Sequence, residues 1–71
     1  MIMEEFLKQL MGKRIDVSCG AGAAFRGDVV DVKRGVLFLR DDDDRVAYVV
    51  IDKIALITEI EKSSSRPGFV L

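Results

Sequence analysis

Ala24 to Ile60 reads AFRGDVVDVKRGVLFLRDDDDRVAYVVIDKIALITEI, and the fold turns on this stretch. Apolar runs alternate in it with turn signals. FRGDVVDV is followed by Arg34-Gly35, VLFLR by Asp41 to Asp44, and RVAYVVI by Asp52-Lys53, after which IALITEI closes the stretch. Short β-branched and aromatic runs bounded by Gly and Asp are the signature of an antiparallel meander. Gly27 interrupts the first and longest run, and a glycine inside a strand marks a bend or bulge. Alternation counted from that bend puts Val30 and Val32 on one face and Val29 with Phe25 on the other. The last strand is expected from Ile54 or Ala55 to Ile60.

Upstream, Lys13 to Cys19 (KRIDVSC) alternates cleanly. Ile15, Val17 and Cys19 face one way, while Arg14, Asp16 and Ser18 face the other, as in a half-buried strand. Gly20-Ala21-Gly22 makes the hairpin turn. A nucleotide-binding reading of that GxG needs a following helix and a third glycine, and a strand follows instead. Cys19 is expected as a small buried apolar residue. Ile2 to Met11 carries Ile2, Met3, Phe6, Leu7, Leu10 and Met11 at three- and four-residue spacing, which predicts a helix stopped by Gly12. Its stripe through Phe6 and Leu10 is expected to cover one open end of a barrel. A membrane-surface helix wants a basic polar face, and Glu4 and Glu5 stand there instead.

The 71 residues allow one domain: a helix at about 2–11, a barrel at about 13–61 and a flexible tail at 62–71. A core this small supplies only ~3–5 kcal/mol, so such chains lean on disulfides, metals or self-association. One cysteine and no histidine leave self-association as the common device. The net charge of −1 gives no global attraction to nucleic acid or to anionic membrane. No export signal and no membrane-spanning run is visible, and with a free thiol the expected location is the cytoplasm.

Val36 to Leu39 and most of Val46 to Ile51 are apolar on both faces. A monomeric small barrel solvates one face of each strand and alternates strictly. The surplus predicts a homo-oligomer joined through the late strands, with Tyr48, Val49, Val50, Ile51, Leu56, Ile57 and Ile60 as the candidate interface.

In element order, an N-terminal helix, five bent strands, a glycine within the second and a last strand entered through a short turn resemble the Sm-like (LSm) superfamily. FRGDVVDVKRGVLFLRDD looks like the first Sm motif, with Gly27 as its bending glycine, and IDKIALITEI looks like the second. The resemblance implies a mainly β fold, a short helix followed by a five-stranded SH3-like barrel. It also implies a closed ring of about five to seven subunits, built by pairing the fourth strand of one copy with the fifth of the next. It is to a divergent prokaryotic branch. The base-reading polar residues of the RNA-binding pattern are replaced here: Asp31 matches the first, but the Asn position is apolar, and Asp52-Lys53 stands in the second turn.

Both of those segments approach the pore of an Sm-like ring, so Lys33, Arg34 and Lys53 are the candidate RNA contacts, through phosphates and without sequence preference. The alternative is an oligomeric scaffold or protein-interaction module that binds no nucleic acid. No cofactor is called for. Asp41 to Asp44 lack the glycine and distal glutamate of a calcium loop and read as a solvated hairpin, not a metal site. With no histidine and no base at motif spacing, neither Cys19 nor a serine is set up as a nucleophile, and Tyr48 is expected to pack. The chain is not expected to be an enzyme.

Overall fold

The computed structural model describes residues 2–60. The order is α1 (Met3–Lys8), β1 (Arg14–Gly20), β2 (Ala23–Lys33), β3 (Val36–Arg40), β4 (Val46–Val50), a 3-10 turn (Ile51–Lys53) and β5 (Leu56–Ile60). The expected tail lies outside the described residues.

The strands form one antiparallel sheet in the order β4-β3-β2-β1-β5. The mainly β fold, the strand count and the hairpins are those the sequence predicts, but the sheet is not closed into a barrel. β5 pairs with β1 from Arg14↔Ile60 to Ser18↔Leu56, β4 pairs with β3 from Val36↔Val50 to Arg40↔Val46, and no ladder joins β4 to β5. β2 is long enough to serve two partners in succession. Its first half pairs with β1 (Asp28↔Arg14 to Ala23↔Gly20), and its second half pairs with β3 (Asp28↔Arg40 to Lys33↔Val36).

Gly27 stands where β3 begins to ride over β2. A Cβ there would lie 2.7 Å from the Arg40 carbonyl oxygen and 3.1 Å from its carbon. Only a residue without a side chain lets the two backbones approach so closely. Three residues on, the ladder slips between Val29 and Asp31, leaving Val30 as the extra residue of a bulge. A bulge reverses which residues face inward. Val29 and Val32 therefore both enter the core, 1% and 3% exposed, and the expected pairing of Val30 with Val32 is overturned.

One face of the sheet is buried. Ile15, Val17, Val29, Val32, Leu37 and Leu39 come from the strands, Leu7 and Leu10 from α1 and the turn after it, and Ile51 from the 3-10 turn. α1 is a six-residue helix with Glu4 and Glu5 in its first turn and Lys8 in its last, the charge order its dipole favours. It stops earlier than the apolar spacing predicts. Gln9, Leu10 and Met11 donate to carbonyls three residues back, which tightens the chain into 3-10-like turns. Gly12 then donates to the Val29 carbonyl and Val29 to the Lys13 carbonyl, so β1 enters its ladder at once. The buried side of the stripe runs through Leu7 and Leu10. Leu7 is fully buried, whereas Phe6, expected at its centre, is 38% exposed. Cys19 is exposed too: it lies beyond the buried residues, next to the Ala21-Gly22 turn.

Two substitutions check this packing in thermal or denaturant unfolding. Leu7→Ala should cost ~2–5 kcal/mol and Phe6→Ala clearly less. Gly27→Ala should cost about 1–3 kcal/mol, because the new methyl group meets backbone that cannot rotate away. A Phe6→Ala penalty larger than that of Leu7→Ala would contradict the helix orientation.

Candidate functional site

The outer face of the sheet is divided by strand. Across β1 and β2 it is polar and paired. Asp16 faces Arg26 across the ladder with their charges 3.7 Å apart, and Arg14 Nε lies 3.3 Å from Asp28 Oδ1. Across β3 and β4 it is apolar: Val36, Phe38, Val46, Tyr48 and Val50 lie together by register. Tyr48 is 69% exposed and Val50 52%. The Tyr48 and Phe38 rings meet edge to face at 5.1 Å, the arrangement the ring quadrupoles favour. On the opposite margin, Leu56 of β5 is 61% exposed. Apolar outer residues thus flank both margins of the sheet. The outer backbone edges of β4 and β5 have no strand partner among the described residues.

The seven candidate interface residues divide accordingly. Tyr48, Val50 and Leu56 are exposed. Val49 and Ile57 are half-buried against the core, Ile51 is inside it, and Ile60 is half-buried at the end of β5. Strand alternation explains most of the division: Val49 lies between the exposed Tyr48 and Val50, and Ile57 follows the exposed Leu56, whereas Ile51 belongs to the 3-10 turn and Ile60 follows two exposed residues, Thr58 and Glu59.

The basic candidates occupy one end of the sheet. Lys33 ends β2, Arg34 and Gly35 form a two-residue turn with positive φ of 54° and 75°, and Lys53 ends the 3-10 turn. Positive φ at both central positions matches the twist of a tight hairpin. The two segments are joined by a hydrogen bond in which Ile51 N–H donates to the Gly35 carbonyl at 2.9 Å. Lys33 is engaged within the chain, its Nζ 3.7 Å from Asp31 and 5.5 Å from the centre of the Phe38 ring. Arg34 and Lys53 make no ion pair among the described residues. Glu4, which sequence reasoning did not connect with this end, accepts a hydrogen bond from Gly35 N–H at 3.2 Å.

The acidic loop is organised by its own chain. Asp41 Oδ1 accepts from the backbone N–H groups of Asp43 at 2.8 Å and Arg45 at 2.9 Å, and Arg45 reaches back to Asp41 Oδ2 at 3.3 Å and to Asp43 at 3.1 Å. Asp42 is held at 2.7 Å by Arg14. This contact is the main reason the Arg14 pKa rises above its ordinary value. No group of three or more acidic or thiol side chains could hold a metal ion among the described residues. No helix of the described residues is long and apolar enough to cross a membrane.

Fold and surface together define a small open-sheet β domain, one helix covering its inner face and two apolar-flanked edges without a strand partner among the described residues. Residues 3–60 match the family described as Domain of unknown function (DUF6897), and the chain belongs to that family. Neither a curated protein nor a solved structure matches it.

The Arg45 N–H, foremost, then the Asp43 N–H and the Arg45 guanidinium, pull the Asp41 carboxyl below the ordinary carboxylate range against the opposing effect of burial. A carboxyl depressed on folding stabilises the fold above its ordinary pKa of ~3.9, and that stability is lost as pH falls through the folded value. Asp41→Asn should therefore flatten the acid side of a thermal-stability profile between about pH 5 and pH 2. An acid slope unchanged by the substitution would show that the loop carboxylate contributes nothing to folding.

Proposed function

We propose that this chain is a self-assembling β module without catalytic activity, working in the cytoplasm. In this reading, copies join head to tail by pairing the free edge of β4 with the free edge of β5 in the next copy. The observation that carries it is the pair of margins without a strand partner among the described residues, flanked by exposed apolar side chains: Val46, Tyr48 and Val50 on one and Leu56 on the other. Unpaired edges with apolar flanks either aggregate or are covered. Pairing two different edges is heterologous, and such contacts close into rings when the rotation permits. The Sm-like resemblance of the motifs agrees with a ring.

The second part of the reading concerns the basic end. The bond between Gly35 and Ile51 joins the segments that carry Arg34 and Lys53, and a ring would repeat that pair of segments once per subunit. We propose weak, sequence-blind contacts there with the phosphates of single-stranded RNA. Each phosphate contact releases condensed counterions, so binding weakens as salt rises, and the overall charge of −1 adds no general attraction.

Sedimentation velocity tests the assembly. The wild-type chain should sediment as one discrete oligomer at micromolar concentration. Val50→Lys and Leu56→Lys should shift it towards monomer without loss of folded structure, because both side chains are exposed within one chain. Substitution at Ile57 would test folding instead, since that side chain packs on the core. A wild-type chain that stays monomeric would refute the assembly.

For RNA, Lys53→Gln should lower affinity for a single-stranded oligoribonucleotide by a similar factor whatever its sequence, and binding should fall steeply as salt rises. Uridine-selective binding indifferent to Lys53 would contradict the phosphate mechanism. No binding at low salt would leave a protein scaffold.

A further inference from the structure

Gly35 occupies the second position of the turn between the paired residues Lys33 and Val36. Its N–H therefore points away from the β2–β3 ladder. The group that takes it is the carboxylate of Glu4, 31 residues earlier, at 3.2 Å. The contact is part-buried, and Glu4 makes no ion pair among the described residues. So a carboxylate oxygen sits on a backbone donor, beside a turn whose next residue back is Arg34 and whose carbonyl is tied to the segment carrying Lys53. A backbone N–H in a turn whose segments carry cationic residues is a donor that an oxyanion can use once its present acceptor leaves. Lys33 is already held by Asp31, which leaves Arg34 and Lys53 as the cations open to a ligand.

We propose that the Gly35 N–H, Arg34 and Lys53 form a site for one phosphate oxyanion, and that Glu4 fills its backbone donor as an internal stand-in. Helix α1 is then an autoinhibitory contact. Its carboxylate must leave the Gly35 amide before a phosphate can take it, and its charge repels the phosphate meanwhile. The nucleic-acid aspect of this inference rests on the phosphate reading given above. The anion site itself does not, because inorganic phosphate offers the same oxygens.

Two variants separate charge from occupancy. Glu4→Gln keeps an acceptor for Gly35 N–H and removes the charge, and Glu4→Ala vacates the donor. The readout is the backbone amide resonance of Gly35 in the folded full chain, titrated in parallel with inorganic phosphate and with a single-stranded oligoribonucleotide at low salt. Both variants should respond at roughly two- to fivefold lower ligand concentration than wild type, the range of one exposed charge contact, with Glu4→Ala the more sensitive. Adding Lys53→Gln should cancel the gain.

A Gly35 response to phosphate without one to the oligoribonucleotide would uphold the anion site and refute the RNA reading. Oligoribonucleotide binding that moves Lys53 but leaves Gly35 unchanged in all variants would uphold the RNA reading and overturn this inference. A Gly35 response equal in wild type and variants, or absent with both ligands, would also overturn it.

Discussion

The handover on β2 is the constraint on which the remaining structure depends. One strand serves β1 with its first half and β3 with its second, and Asp28 is paired with Arg14 on one side and Arg40 on the other. For both ladders to meet there, β3 must pass over β2 at backbone contact distance, and Gly27 supplies the missing side chain. The bulge at Val30 then resets the inward face, so that Val29 and Val32 join a single core. Without that reset, Val32 would face solvent and the second half of the sheet would lose its anchor. Leu39 and Leu37 stand opposite Val29 and Val32 on that half, and Ile51 joins the same core.

The same arrangement leaves the sheet open. β2 sits at the centre, β1 and β3 flank it, and the two short strands of five residues each are outermost. The 3-10 turn from Ile51 to Lys53 carries the chain from one margin to the other without adding a ladder. Its first residue closes the core and its last displays a cation, while its amide binds the Gly35 carbonyl. Core closure, edge placement and the basic end are thus consequences of one short segment. Stability and the layout of the surface are linked through it, and a change at Ile51 would disturb all three.

Much of this was legible in the residues. Arg34-Gly35 placed a hairpin where one is found, because a two-residue turn with positive φ has few sequence solutions. The acidic run marked the next turn, and Asp41 organises it by the side-chain bonds that favour Asp at turn starts. Alternation through Ile15 and Val17 placed both in the core. Two of the errors share a cause: each came from extending a local period past a place where tertiary contact breaks it. Val30 was paired with Val32 because period-2 counting cannot see a bulge. Cys19 is the extra residue where the β1–β2 register slips between Ser18 and Gly20, and alternation carried past that slip puts it inside when it is exposed. Phe6 and Leu7 both belong to the apolar stripe that the spacing predicts, and only the packing of the helix on the sheet shows that Leu7 is the buried one. Closure of the sheet depends on where the two outer strands lie, which no residue pattern encodes directly. The contact of Glu4 with Gly35 had no signal at all, since it joins segments far apart in the chain.

The surface chemistry was partly readable for a related reason. Two-faced apolar strands announce surplus apolar area, but only the structure separates the residues spent on the core, Val49, Ile51 and Ile57, from those still exposed, Tyr48, Val50 and Leu56. The central claim is that the β4 and β5 edges are completed by other copies of the chain. Amide hydrogen exchange measured across a concentration series tests it most directly. The account predicts that amides within Val46–Val50 and Leu56–Ile60 gain protection together as concentration rises, while those of β2 stay protected throughout. Outer-strand amides that exchange at the same rate at every concentration would contradict it.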